Sequence, residues 1–247
     1  MLEIEYDPLL VGISVAVAIW GSWTALVLTF GFREHKKSPI QAIFLCINGA
    51  VVIGSSIWAM HFIAMLAVGF PVPVTYNVTE TVASLVLAMC VSGLGLFVAS
   101  QRVAGALSVL TGGTLMGLGI AGMHYLGMSA IRGCGITYNE YGVLASVLIA
   151  ILAASAALWF AFRRRGIAET VLGGVIMGFA IASMHYTGMY ATAFYSSPSL
   201  VPVQQPLLSQ PTLAYAIALA TITVCSAQLL LVAGATKKPL KQGPGIS

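Results

Sequence analysis

The chain has 247 residues, of which 59% are hydrophobic and only 7% are charged, and its mean hydropathy is +0.96. In a soluble domain about a quarter of the residues are charged, so this composition excludes an ordinary water-soluble globular protein. Long apolar stretches without charge are typical of membrane-spanning helices, which satisfy their backbone polar groups internally. The net charge of +4 resides in short basic runs, which are too short to predict nucleic-acid binding.

Seven apolar stretches predict membrane-spanning helices. Each is long enough to cross about 30 Å of hydrocarbon at about 1.5 Å per residue, and Pro or Gly residues mark several ends. In chain order the predicted helices are Pro8–Gly31, Pro39–Val68, Glu80–Ser100, Gly105–Ile131, Tyr141–Phe162, Ala168–Phe194 and Pro211–Ala233. The predicted fold class is therefore an all-α membrane protein with one domain over residues 8–233. A short basic tail, residues 234–247, follows it.

The basic residues predict the direction of the bundle. All Lys and Arg residues except Arg132 follow helix 1, 3, 5 or 7. Under the positive-inside rule those ends face the cytoplasm, so the amino terminus is predicted outside and the carboxy terminus in the cytoplasm. The first residues contain Glu3, Glu5 and Asp7, which do not suit the basic start of a cleavable signal peptide.

A threefold internal repeat is the most informative feature of the sequence. Helices 2, 4 and 6 each carry the pattern Met-His-aromatic-x-small-Met, and the His residues are 63 and 61 positions apart. The helix pairs 2–3, 4–5 and 6–7 are interpreted as three copies of one unit, with helix 1 added. The repeated Met and His residues are Met60, His61, Met65, Met123, His124, Met128, Met184, His185 and Met189.

The spacing within the motif predicts a metal site. At about 100° per residue, a His and the Met four positions later share one helix face, whereas the preceding Met points elsewhere. Gly113, Gly117 and Ala121 form a small-xxx-small row on helix 4, which favours close helix approach and places His124 toward protein. Imidazole and thioether ligands suit copper, particularly Cu(I). The nine repeated residues are therefore candidate copper ligands, about two turns from the outer ends of their helices.

Other functions fit parts of the pattern. A membrane copper-handling protein or transporter is the main alternative, and it predicts ligands at several depths, such as Met89, Met116 and Met177. Two His residues from different helices could ligate a haem. An enzyme is not expected: three His could hold zinc, but no Asp or Glu lies well inside a predicted helix to act as a base.

The motifs resemble those of the MHYT domain, a bacterial membrane sensor family named after Met-His-Tyr-Thr. Met184-His185-Tyr186-Thr187 matches the name outright, while Met123-His124-Tyr125-Leu126 and Met60-His61-Phe62-Ile63 are looser copies. The resemblance covers essentially the whole chain. It implies a seven-helix sensory module in the bacterial inner membrane that senses O₂, CO or NO through copper held by motif Met and His residues, with Tyr as a further candidate ligand.

Many members of the family place a GGDEF, EAL or histidine kinase domain after the membrane module. Here only residues 234–247 follow the last predicted helix, so a stand-alone module is expected. Its expected partners are the lipid bilayer, a diatomic gas and a separate cytoplasmic signalling protein.

Overall fold

The computed structural model describes residues 1–30, 39–100, 105–162, 166–196 and 209–236. Within these ranges, seven helices are long and apolar enough to span a membrane, which confirms the predicted fold class. They are α1 (Pro8–Phe30), α2 (Pro39–Leu66), α3 (Val78–Ser100), α4 (Ala106–Ser129), α5 (Glu140–Ala161), α6 (Ile167–Tyr190) and α7 (Gln210–Thr236). The basic runs that predicted the orientation, and most of the predicted tail, lie outside the described residues. The orientation therefore stays a prediction.

The odd-numbered helices α1, α3 and α5 begin with the same side-chain cap. Asp7 and Asn77 each accept a hydrogen bond of 2.8 Å from the amide two residues later. Asn139 accepts one of 3.0 Å from the amide three residues later. Such caps satisfy amides of the first helical turn that have no partner inside the helix, so each of these helices has a well-defined start.

Six short strands, which the sequence did not predict, lie at the end of the bundle where α1, α3 and α5 begin. They form three antiparallel pairs, and each pair joins the segment before an odd-numbered helix to the segment after an even-numbered one. We call this region, residues 1–7, 67–77, 130–139 and 191–196, the cap. Its strands are β1 (Glu5–Tyr6), β2 (Val68–Gly69), β3 (Thr75–Tyr76), β4 (Ile131–Arg132), β5 (Gly135–Tyr138) and β6 (Thr192–Tyr195).

The cap corrects the predicted end of helix 6. The helix was predicted to continue to Phe194, but α6 ends at Tyr190 and Phe194 belongs to β6. Phe194 pairs with Ile136 of β5 and is only 2% exposed. Pairing with β5 and burial of the Phe194 ring therefore outweigh the tendency of this apolar segment to continue as a helix.

Helices α1 to α6 form a closed ring, and α7 lies outside it. Each helix of the ring packs against the next in the chain, α6 packs against α1, and α7 packs against α1 and α2. Within the ring, α2, α4 and α6 also contact one another. The three helices that carry the repeated motif therefore meet at the centre of the bundle.

The close helix pairs show which helix completes the third repeat. Glycines at matching positions of α2, α4 and α6 let the neighbouring helix approach so closely that a Cβ would lie within 2.7 Å of its backbone. These contacts join Gly54 to Met89 of α3, Gly117 to Ile151 of α5, and Gly178 to Ile19 of α1. The predicted pairs 2–3 and 4–5 pack closely in this way, whereas the close partner of α6 is α1, and α7 packs against α1 and α2.

Candidate metal centre

Three His side chains meet on the central axis of the bundle. The Nδ1 atoms of His61 and His185 are 3.0 Å apart, those of His61 and His124 are 3.1 Å apart, and those of His124 and His185 are 3.3 Å apart. All three residues are at most 1% exposed. The structure therefore brings the three sequence-predicted His residues into one buried cluster, which we call the His triad.

Glycines on the neighbouring helices make room for the imidazole rings. A Cβ at Gly127 of α4 would overlap Nε2 of His61, and a Cβ at Gly188 of α6 would overlap Nε2 of His124. Each of these glycines follows the His of its own helix by three positions, at the small residue of the repeated motif. The small residue therefore creates the space into which the next ring fits.

The triad contains ring nitrogens that protein partners do not satisfy. A neutral imidazole has one N–H donor and one acceptor nitrogen, yet the Nε2 atoms of all three rings are buried without a hydrogen-bond partner in the described residues. The three Nδ1 atoms lie within hydrogen-bond distance of one another, and the tautomers decide which of them donates and which accepts. An unsatisfied buried polar group costs about 1–3 kcal/mol, and this cost falls on the Nε2 atoms. A cation among the Nδ1 atoms would take their three lone pairs as ligands and leave the proton of each neutral ring on Nε2.

The spacing of the Nδ1 atoms suits a small metal ion. Metal–nitrogen bonds of about 2.0–2.1 Å in a tetrahedral site place two nitrogens about 3.3–3.4 Å apart, close to the observed 3.0–3.3 Å. Candidate ligand atoms of the three His residues lie within 4.8 Å of one another. The donor set therefore fits a transition-metal ion with three nitrogen ligands.

The six predicted Met ligands fall into two groups. Met65, Met128 and Met189 lie in one buried cluster with residues of the cap, one turn beyond the His triad. The Met residues that directly precede the His residues are also buried but are not gathered in one cluster. Met60 packs with Ala18 and Ala64, whereas Met123 and Met184 belong to a separate hydrophobic core cluster. The structure thus gathers the Met four residues after each His into one cluster, whereas the Met before each His are dispersed.

The aromatic residue after each His contacts an odd-numbered helix. The hydroxyl of Tyr125 lies 2.6 Å from Ser146 Oγ on α5, and that of Tyr186 lies 3.2 Å from Ser14 Oγ on α1. On α2 the equivalent residue, Phe62, has no hydroxyl. There, Trp58, stacked on Phe62, donates from Nε1 to Ser84 Oγ on α3 at 3.0 Å. These contacts hold each motif helix against its partner at the height of the triad.

The sequence contains a second repeat that would have identified the pairing. Each odd-numbered helix of the ring starts with Tyr-Asp or Tyr-Asn, and a Ser follows the capping residue by seven positions. The three copies are Tyr6-Asp7 with Ser14, Tyr76-Asn77 with Ser84, and Tyr138-Asn139 with Ser146. The first copy lies on α1, so this pattern marks α1 as a member of the repeat. Sequence reasoning missed it because the Met-His motif of helices 2, 4 and 6 defined the repeat, and α1 lacks that motif.

The cap separates the His triad from its end of the bundle. Above the three Met residues lie Val68, Ile131, Cys134 and Phe194, all buried in the same cluster. Tyr76 donates a hydrogen bond of 3.1 Å to the backbone oxygen of Met65. Burial raises the pKa of the Tyr76 hydroxyl and of the Cys134 thiol, so both groups stay neutral around pH 7.

No carboxylate of the described residues is buried near the triad. Glu80 lies on the partly exposed edge of the cap, where it forms an ion pair of 2.6 Å with Arg132. Arg132 is the one basic residue that the sequence placed at this end. The candidate metal centre therefore consists of neutral nitrogen and sulfur donors, without a charged ligand.

A seven-helix membrane domain with a buried triad of repeated His residues is the class of protein that these observations define. The family model described as "MHYT: Bacterial signalling protein N terminal repeat" matches residues 1–41, 54–112, 117–174 and 178–240. The chain therefore belongs to the MHYT family. This membership and the seven spanning helices identify a multi-pass protein of the bacterial inner membrane, with a signalling domain.

Curated relatives are bacterial signalling proteins. The bifunctional diguanylate cyclase/cyclic di-GMP phosphodiesterase MucR of Pseudomonas aeruginosa is 41% identical over 78% of this chain and 29% of its own length. The cyclic di-GMP phosphodiesterase NbdA of the same organism is 35% identical over 81% of this chain and 26% of its own length. The signaling protein YkoW of Bacillus subtilis is 29% identical over 99% of this chain and 31% of its own length. The chain thus spans about a third or less of these relatives. No solved structure matches it.

Proposed function

We propose that this domain is a membrane sensor that binds copper through His61, His124 and His185 and detects a diatomic gas, O₂, CO or NO, or the redox state. The observation that carries the proposal is the convergence of three buried Nδ1 atoms at 3.0–3.3 Å. Membership of a signalling family supports a sensory role.

The ligand chemistry favours copper, and Cu(I) in particular. Three imidazoles suit zinc, copper or iron, but thioethers select the soft Cu(I) ion, and Met65, Met128 and Met189 lie one turn from the triad. All of these donors are neutral, and no carboxylate of the described residues is buried beside them. Buried charge without a partner is costly, so a monovalent ion is accommodated more readily than a divalent one.

The residues of the chain have separate roles in this proposal. When bound, copper would supply a redox-active centre that a diatomic gas can bind. The His residues bind it, the Met cluster offers thioethers from the cap side, and the cap excludes water. Tyr125 and Tyr186 hold α4 and α6 against α5 and α1 through their contacts with Ser146 and Ser14. We propose that the output acts on a cytoplasmic signalling protein, as the cyclic di-GMP enzyme names of MucR and NbdA suggest.

Metal content tests this proposal. The protein is purified in detergent, loaded with Cu(I) under reducing conditions, and compared by elemental analysis with the triple variant His61→Ala, His124→Ala, His185→Ala. We expect about one copper per chain in the wild type and loss of copper in the variant. Tyr190→Phe is the matched control, because Tyr190 lies on the same helix α6 but is 93% exposed, and it should retain copper. Equal copper in wild type and triple variant would reject the triad as the site.

Copper transport is the second candidate, and one observation favours it. Met116 and Met177 are buried on α4 and α6 two turns from the triad, on the side away from the cap, which gives thioethers at more than one depth. Transport predicts that cells expressing the Met116→Leu, Met177→Leu variant lose a copper accumulation that wild-type cells show. A sensor predicts no accumulation in either strain.

A further inference from the structure

A cavity lies inside the helix ring, on the side of the His triad away from the cap. Residues one helical turn before each His line it: Ile57, Ile120 and Ile181. The residues a further turn away, Ile53, Met116 and Met177, line it as well. Four residues correspond to about 6 Å along a helix, so the cavity begins about one helical turn below the triad and continues between the same three helices. We call this cavity the chamber.

Small residues of the outer helices leave the chamber open. Gly21 and Ala25 of α1 and Ala150 and Ala154 of α5 form part of its wall. Their short side chains do not reach the axis, and the branched side chains of the inner helices do not fill the remaining space. The chamber has a volume of about 50 Å³, several times the roughly 10–15 Å³ that a single water molecule needs on the same measure.

The lining of the chamber does not suit water or ions. Among the described residues that line it, only Ser22 and Ser56 have polar side chains, and the Ser56 hydroxyl already lies 3.4 Å from Cys225 Sγ on α7. An ordered buried water usually needs two to four polar partners, whereas cavities with apolar walls stay dry and take up apolar molecules such as xenon. The chamber is therefore suited to an uncharged apolar occupant.

We infer that the chamber is a binding site for a small uncharged apolar molecule in the size class of a diatomic gas, placed on the axis of the His triad. On the opposite side, the Met cluster and the cap fill the space above the triad. The lining residues nearest to the triad are one helical turn from the His residues, so the occupant lies below the triad, on the membrane-embedded side, and is separated from it by the side chains of Ile57, Ile120 and Ile181. Only the choice of a diatomic gas as the natural occupant rests on the proposed function; the affinity of the chamber for apolar molecules does not.

Xenon tests the chamber independently of copper. Metal-free protein is crystallised from a lipid phase and pressurised with xenon, and the anomalous signal locates the bound atom. We expect a xenon atom on the axis between the two rings of Ile and Met residues in the wild type. The variant Ala154→Leu fills the chamber and should lose it. Ala156→Leu, the same change two residues along α5 on the exposed face, should retain it.

A second variant covers the outcome in which Ala154→Leu does not fold. Leu158 lines the chamber and is 1% exposed, so Leu158→Ala enlarges it and should raise the xenon occupancy. Absence of xenon from the wild type, equal loss in Ala154→Leu and Ala156→Leu, or no gain in Leu158→Ala would overturn the inference. A second copper ion per chain that disappears in Met116→Leu, Met177→Leu would also overturn it, because the chamber would then bind metal.

The copper content of the same variants separates the two proposals. Ala154→Leu should bind as much copper as the wild type, because it contacts neither the triad nor the Met cluster. Xenon binding by a protein that takes up no copper would leave the chamber intact and reject the copper sensor. Copper binding by a protein that takes up no xenon would support the copper site and reject the chamber.

Discussion

The two sides of the His triad differ although the same three helices build them. Four residues after each His, toward the cap, lie Met65, Met128 and Met189; four residues before each His lie Ile57, Ile120 and Ile181. The Met residues belong to a packed cluster closed by paired strands, whereas the Ile residues border a cavity.

This difference separates two tasks within one repeat. Thioethers are soft donors that a buried metal ion can use. Hydrocarbon side chains offer no ligand and leave apolar space in which an uncharged molecule can lie. The repeat therefore places candidate metal ligands on one side of the triad and space for an apolar molecule on the other.

The difference between the two sides depends on His rings that are held in fixed positions between them. Gly127→Ala should displace a ring, and we expect the largest effect from this substitution. The added Cβ would overlap the His61 ring, and overpacking of this kind costs about 1–3 kcal/mol. We expect a lower melting temperature and reduced copper content. Gly122→Ala, on the same helix, is the control because its Cβ would meet only a side-chain carbon of Leu87 at 3.8 Å. An equal effect of both substitutions would mean that the ring is not tightly seated.

Exchanging Met for Leu on each side tests the chemical difference directly. The triple variant Met65→Leu, Met128→Leu, Met189→Leu should lower the affinity for Cu(I) at least about tenfold, or about 1.4 kcal/mol, because the thioethers are lost while volume is nearly conserved. Met116→Leu, Met177→Leu, on the chamber side, should leave the affinity unchanged. Competition with a Cu(I) chelator measures the affinity of both variants. Equal affinities would refute the assignment of the thioether ligands to the cap side.

The cap side contains titratable groups and should respond to pH, whereas the chamber side should not. Burial raises the pKa of the Cys134 thiol above its ordinary value of 9.0. The folded state therefore holds its proton more tightly than the unfolded state, and stability is retained below about pH 9 and falls as the pH rises through the shifted value. Melting temperatures from pH 7 to 11 should show this fall.

Two variants isolate the contribution of the thiol. Cys134→Ser should show a shallower alkaline fall than the wild type, although the raised pKa of Tyr76 leaves part of it. The melting temperature of Ala154→Leu, a substitution in the chamber, should fall with pH in parallel with that of the wild type. A Cys134→Ser profile that parallels the wild type would show that the thiol does not contribute.

The smallest effect is expected at the outer edge of the cap. Glu80→Gln removes the ion pair with Arg132, which is partly exposed, and such pairs contribute about 0.2–1 kcal/mol. We expect a small drop in melting temperature that shrinks at high salt, with copper content unchanged. A loss of copper in this variant would show that the edge of the cap is coupled to the triad.

Much of the fold followed from the sequence because lipid imposes a simple rule. A spanning segment must be long, apolar and helical, so composition and punctuation located all seven helices to within a few residues, except at the end of α6. The spacing of the motif placed His124 and its counterparts at one depth and toward protein. The cap strands were not predicted, because two-residue pairs such as Glu5–Tyr6 with Val68–Gly69 have no periodicity of their own.

The sequence by itself determined the number of spans, the threefold repeat and the identity of the inward-facing His residues, since these depend on local hydropathy and helical periodicity. Only the tertiary structure decided how closely α6 packs against α1, that the three Nδ1 atoms lie within 3.3 Å of each other, and that a cavity lies beneath them. These features depend on how closely the backbones approach at glycines such as Gly178, and that distance depends on contacts between segments far apart in the chain.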